Sequence, residues 1–284
     1  MNQKTKGIIY IMLAAFCFAG MSVFVRLSGD VPTMQKALFR NAVAAIIAVI
    51  MLARSREGFH VQRGSLPFLF LRSAFGCAGL IANFWAVDHL VISDANMLNK
   101  LSPFFAIIMS AFILQEIPTL IEWIFVLVAF VGAVFIVHPT AGLASLPALV
   151  GLFGGFAAGT AYTFVRKLGN RGERGPVIVC FFSLFSTIVC LPYLLLAYHP
   201  MSLQQLLLLV CAGCFAAGGQ LSITAAYTCA PAREISVFDY SQVIFAALLG
   251  FFCFGEMPDI YSFIGYAIII VTAIAKWRYN LSYD

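Results

Sequence analysis

Long apolar runs, separated by a few polar or turn-forming residues, fill almost the whole chain. They lie near 7–27, 33–53, 66–87, 92–115, 119–138, 147–166, 176–197, 203–228, 233–255 and 259–277. A hydrocarbon core of about 30 Å needs about 20 apolar residues at a helical rise of about 1.5 Å, and the runs have that length. They are apolar all round, without the alternating short segments of a membrane barrel. Open strands in lipid would leave backbone N–H and C=O groups without partners. The pattern therefore predicts an all-α membrane protein with ten transmembrane helices, short loops and no extramembrane domain. Lys4 and Lys6 before the first run mimic the start of a signal peptide, but a small-residue cleavage site is lacking, so an uncleaved first helix is expected.

Composition sharpens this picture. The 284 residues are 62% hydrophobic and 10% charged, whereas a soluble domain has about a quarter of its residues charged. An ordinary soluble enzyme, a disordered tail and a nucleic-acid binder are excluded. The net charge of +5 acts through its placement. With the N-terminus in the cytoplasm, the inner side holds Lys4, Lys6, Arg54, Arg56, Arg63, Arg166, Lys167, Arg171, Arg174, Arg233, Lys276 and Arg278, and the outer side only Arg26 and Lys36. That asymmetry predicts a multi-pass protein of the cytoplasmic membrane with both termini inside. The eight cysteines are scattered through apolar runs and read as small fillers. Cys211 and Cys214 form a CxxC without a second ligand pair, so neither a metal site nor a cofactor is expected.

The chain repeats itself at an offset of 140 residues. Phe24-Val25-Arg26 recurs as Phe164-Val165-Arg166, Gly29 as Gly169, Phe105-Ala106 as Phe245-Ala246, Phe112 as Phe252, and Glu116-x-Pro118 as Glu256-x-Pro258. This predicts two five-helix halves, residues 1–140 and 141–284. Five is odd, so the second half is inverted in the membrane. Inverted repeats supply two near-equivalent conformations around a site near the midplane, which suits alternating access.

Ionisable side chains deep in a span are rare and usually face a cavity or a partner. Arg40, Arg72, Lys100 and Asp239 have such positions. In the fourth span Asn96, Asn99, Lys100 and Pro103 share one helix face. Ser236, Asp239, Tyr240 and Val243 form the matching stripe in the ninth. Counting residues from the span centres sets Lys100 and Asp239 about 8–12 Å apart along the membrane normal. Arg72 is then the alternative ion-pair partner for Asp239, and Asp239 is also a candidate proton acceptor. Arg40 and Lys100 share the outer half and favour an anionic group. Asn83, Trp85, Tyr162, Gln220 and Tyr227 complete the candidate substrate-binding set, with aromatic faces available for stacking.

Each has a structural alternative. Arg40 and Arg72 can snorkel to headgroups. Asn83 and Asn96 can bond between helices, and Trp85 and Tyr227 can belong to the interfacial belt. Gly151, Gly155 and Gly159 form a small-residue stripe that predicts close helix contact within or between protomers. Pro103 predicts a local kink that exposes carbonyls beside the polar stripe.

These features resemble the drug/metabolite transporter superfamily, of the EamA-type ten-helix kind. The marks are Leu101-Ser102-Pro103-Phe104-Phe105-Ala106 through Glu116-Ile117-Pro118, and Ala226-Tyr227-Thr228-Cys229-Ala230-Pro231-Ala232 through Phe254-Gly255-Glu256-Met257-Pro258-Asp259. Leu71-Arg72-Ser73 at the third span also fits. The resemblance implies a central cavity lined by spans one to four and six to nine, with the fifth and tenth peripheral. It implies structural or gating roles for Glu116 and Glu256. Such members are similar to carriers of amino acids, nucleosides, sugars, vitamins and small amphiphiles. The departure is Glu234 and Asp239, where the family's ninth span is usually apolar.

The expected function is a secondary transporter of a small polar organic metabolite, amino-acid-like or otherwise zwitterionic or amphiphilic. Arg40 or Lys100 would hold its anionic group and Asp239 its cationic group. A lipid or amphiphile flippase is the alternative, ahead of a passive channel or an intramembrane enzyme. His60, His89, His138 and His199 all lie at loops or span ends, without an HExxH, a Ser-His-Asp arrangement or a P-loop, and no catalytic residue is assigned. The expected partners are a small-molecule substrate and the lipid bilayer, not nucleic acid, with the chain a monomer or homodimer.

Overall fold

A computed structural model describes residues 2–89, 98–137, 146–255 and 260–282. The apolar runs become helices: α1 (Gln3–Leu27), α2 (Thr33–Arg54), α3 (Leu66–His89), α4 (Ser102–Leu114), α5 (Leu120–Val137), α6 (Leu146–Asn170), α7 (Gly175–Leu196) and α8 (Leu203–Cys229). The ninth span is composite. It contains α9 (Ala232–Ile235), a 3-10 helix over Ser236–Tyr240, and α10 (Ser241–Phe254), and α11 (Ile260–Ser282) closes the chain. Among the described residues, eight segments are long and apolar enough to cross a membrane, and Ser102–Leu114 and Leu120–Phe135 are shorter apolar helices. The molecule is thus a multi-pass, ten-span membrane protein built from two inverted five-helix repeats.

The helix contacts show how the repeats assemble. α1 packs on α8 and α3 on α6; each pair is the image of the other under the 140-residue offset. The contact of α4 with α6 has its image in that of α10 with α1. α2 packs against its own image α7, and α5 against its own image α11. The principal interfaces therefore join one half to the other. Neither half encloses a core by itself, because the central core lies along the pseudo-twofold axis between them.

Small residues permit this interlocking. A Cβ placed on Gly155 would lie 2.6 Å from the Leu98 carbonyl oxygen, and one on Gly159 would lie 2.6 Å from the Ser102 oxygen. The glycine stripe thus brings α6 onto the fourth span within one protomer, the close-contact role that small-residue stripes serve. Large apolar side chains remain on the outside. Phe112 and its repeat mate Phe252 are 79% and 75% exposed, as lipid-facing positions should be.

The repeated Glu-x-Pro motif marks a helix end. α4 terminates at Gln115 with φ 59°, and α10 terminates at Gly255 with φ 67°. These left-handed residues stand at equivalent places in the two repeats. A left-handed residue satisfies the last helical carbonyls, and a following proline prevents the helix from continuing. Glu116 begins the segment after the first of these caps. Its repeat mate Glu256 lies outside the described residues.

Candidate functional site

The fourth and ninth spans both change geometry at the middle of the bundle. In the fourth, Pro103 occupies the first turn of α4 and has no N–H to donate. The N–H of Phe104 donates to the Leu101 oxygen, which leaves the Lys100 carbonyl outside the helical ladder. The Tyr240 hydroxyl donates to that carbonyl at 3.0 Å. Lys100 and Tyr240 are repeat mates, so this bond lies where the pseudo-twofold axis passes. In the ninth span, the 3-10 segment Ser236–Tyr240 buries all five of its residues.

The structure corrects the ion pairing expected from residue counting. Lys100 Nζ lies 3.5 Å from Asp239 Oδ2 and donates to Gln242 Oε1 at 2.7 Å. Arg72 does not pair with Asp239: its Nη2 donates to Gln220 Oε1 at 3.1 Å, and its guanidinium lies over the Phe182 ring at 3.8 Å. Two straight, continuous α-helices would hold Lys100 and Asp239 at different depths. A 3-10 helix rises about 2.0 Å per residue against about 1.5 Å for an α-helix, which carries Asp239 further along its span. The added rise brings its carboxylate within reach of Lys100.

A cavity of about 120 Å³ lies between the repeats. Arg40, Arg72, Asn83, Asn99, Tyr162 and Gln220 supply its polar lining, with Gly76, Gly79 and Phe182 among its walls. Arg72 is 2% exposed. The Tyr162 ring stacks on Tyr227 with centroids 4.9 Å apart and planes 9° apart. Tyr162 lines the cavity, and Tyr227, which is not among the lining residues, packs on its ring. Ser236 is fully buried. Trp85 is not among the lining residues: its ring stacks on His89 at 4.0 Å. Asn96 lies outside the described residues.

Several polar partners escaped the sequence reading. Gln242 lies three residues beyond Asp239, the spacing that should have drawn attention to it. Phe182 beneath Arg72 carries no signal that separates it from any other apolar position. Lys276, which resembles a loop anchor in the sequence, is fully buried and pairs with Glu122 at 3.4 Å. At the end of the bundle bearing both termini, Arg166 Nε pairs with Glu116 Oε1 at 3.1 Å and its Nη1 donates to the Thr228 carbonyl at 3.0 Å. At that end Lys4 also pairs with Glu234 at 3.8 Å, and Arg233 donates to the Ile117 oxygen. Arg26, the repeat mate of Arg166, lies over the Phe254 ring at 4.3 Å. It stands at the opposite end of α1 from Lys4, as inversion of the repeats requires.

No enzyme motif accompanies this arrangement, and no group of three or more metal-ligating side chains occurs among the described residues. The geometry is that of a polar chamber inside an apolar bundle. Known proteins with similar chains are transporters. The chain is 30% identical over 276 residues to the pseudopaline exporter CntI of Pseudomonas aeruginosa, covering 96% of each protein. It is 26% identical to solute carrier family 35 member G1 of Homo sapiens, over 95% of this chain and 80% of that protein. It is 25% identical to a riboflavin transporter of Vibrio cholerae, over 98% and 95%. A solved crystal structure shares the fold, with a TM-score of 0.84 and 15% identity over 94% of this chain and 95% of that one. The EamA-like transporter family model matches residues 5–138 and again residues 145–275. The chain is therefore a transporter rather than an enzyme, and it belongs to the EamA-like transporter family.

Proposed function

We propose that this protein is a secondary carrier that moves a small polar organic metabolite across the cytoplasmic membrane by alternating access. The observation that carries the reading is the polar cavity at the interface of the inverted repeats, beside the paired breaks in the fourth and ninth spans. Such breaks near a midplane site are how transporter folds expose polar backbone to a substrate. Arg40, Arg72, Asn83, Asn99, Tyr162 and Gln220 contact the substrate. The Lys100–Asp239 pair and Tyr240 hold the pseudo-twofold axis that relates the halves, divided near residue 140, and around which the interlocked helices rearrange. Both termini and the Arg166–Glu116 contact lie on the cytoplasmic side, the orientation that the distribution of basic residues favours. The pseudopaline exporter and the riboflavin transporter support a metabolite as cargo.

Counterflow in proteoliposomes tests this. Vesicles holding the full chain are loaded with a polar-metabolite extract and offered the same extract with an isotopic label outside. A carrier accelerates label entry only when unlabelled solute is present inside. Entry that ignores the internal solute identifies a channel, and the absence of entry overturns the reading.

A further inference from the structure

The charges that face the central cavity are unlike those that the fold neutralises itself. Lys100 already has a carboxylate and an amide oxygen. Asp239 is engaged by that lysine and is not among the residues lining the cavity. Among the described residues, a cationic group on the substrate therefore finds no acid there. Arg40 and Arg72 both line the cavity, so two like charges face the same space. Among the described residues, neither has a carboxylate within ion-pair distance. The Nε atoms of both arginines are buried without a hydrogen-bond partner, as is the Asn83 Oδ1. Arg72 has one amide oxygen and the Phe182 face, and Gly76 provides the space into which its Nη1 projects.

We infer that the transported metabolite is a polycarboxylate, an organic anion with at least two carboxylates that engage Arg40 and Arg72 together. The inference rests on the carrier reading and names its substrate class. Two guanidiniums that share one cavity, each with a buried and unpartnered Nε, are stabilised most by a ligand that brings a negative charge to each. Arginine suits this task because its planar fork presents parallel N–H donors to a carboxylate. The ring beneath Arg72 fixes the plane of that fork. Asn83, Asn99 and Gln220 supply amide groups for hydroxyl or amide functions elsewhere on the ligand.

The test uses the purified full chain in detergent, at fixed pH and ionic strength, with butyrate, succinate, tricarballylate and putrescine as probes. Ligand binding raises the thermal midpoint by mass action. Apparent affinity is expected to rise at least tenfold from butyrate to succinate and again to tricarballylate, with no effect of putrescine. Arg40→Gln and Arg72→Gln should each weaken succinate binding at least tenfold, and the exposed-site control Arg56→Gln should not. Equal stabilisation by butyrate and succinate, stabilisation by putrescine, or none by any carboxylate overturns the assignment. The wild-type series decides this even if an arginine variant fails to fold. Counterflow with the extract fractionated by charge separates the two proposals. Transport confined to the neutral or cationic fraction overturns the polycarboxylate and leaves the carrier intact. Carboxylate binding without counterflow in any fraction does the reverse.

Discussion

Lys100 reaches the Asp239 carboxylate at 3.5 Å and the Gln242 oxygen at 2.7 Å, whereas the more deeply buried Arg72 meets one amide oxygen and a phenyl face. Both are cations removed from water at the interface between the repeats. Taking a charge out of water costs several kcal/mol per ion even after the protein relaxes, by an order-of-magnitude estimate of about that size. Lys276 follows Lys100, since its fully buried ammonium is met by Glu122. The difference separates two uses of buried charge. Where a cation belongs to the scaffold, the chain provides the acid. At Arg40 and Arg72 that acid is missing among the described residues, and the deficit is one that a bound anion removes.

The largest effect should come from breaking the compensated pair. Asp239→Leu leaves the Lys100 ammonium buried without its carboxylate, and removing one partner of a buried pair costs about 3–5 kcal/mol. Thermal unfolding of the purified variant should show that loss. The double variant Lys100→Met/Asp239→Leu should regain most of it, because a buried pair can often be replaced by apolar side chains at little cost. A double variant as unstable as the single one would show that the ion pair is not what stabilises this region.

The opposite side of the comparison predicts a different split. Arg72→Gln removes a buried charge that has no acid among the described residues, so stability should change by no more than about 1 kcal/mol, the scale of its single hydrogen bond to Gln220. Counterflow should nevertheless fall at least tenfold, equivalent to about 1.4 kcal/mol or more in substrate binding. A large stability loss with normal counterflow would place Arg72 in the scaffold beside Lys100.

The same contrast explains what could be read from the chain before its structure. The spans follow from apolar length, and the inverted repeat follows from Phe-Val-Arg and Glu-x-Pro at one offset. Pro103 correctly signals a disturbed ladder beside Lys100. The polar positions of the fourth and ninth spans were legible as stripes, and Arg40, Arg72, Asn83, Asn99, Tyr162 and Gln220 do meet around one cavity. The partners of those charges were not legible. Assigning them requires axial distances within a few ångströms, and the 3-10 stretch at Ser236–Tyr240 leaves no mark in hydropathy that distinguishes it from α-helix. Gln242 and Glu122 were missed for a related reason: a polar residue near a stripe or a span end acquires meaning only when its neighbour across the interface is known.

The smallest effect concerns the contact by which the compensated region closes on the pseudo-twofold axis. Tyr240 is fully buried, and its hydroxyl is the partner of the Lys100 carbonyl that the start of α4 leaves free. Tyr240→Phe keeps the ring and deletes the donor. The net value of such a bond is about 0.5–1.5 kcal/mol, with an additional cost when a buried acceptor is left unsatisfied. The variant should therefore lose about 1–2 kcal/mol in thermal or denaturant unfolding, less than Asp239→Leu. Carboxylate binding at Arg40 and Arg72 should remain within about threefold of wild type, a change of less than about 1 kcal/mol, because the hydroxyl is not part of the cavity lining. Tyr240→Phe in the Asp239→Leu background sharpens the comparison further. Lys100 carries both the carbonyl and the ammonium at issue, so the two losses should couple rather than add. Strict additivity would mean that the Lys100 backbone and side chain are held independently, and that the break in the fourth span survives without its ion pair.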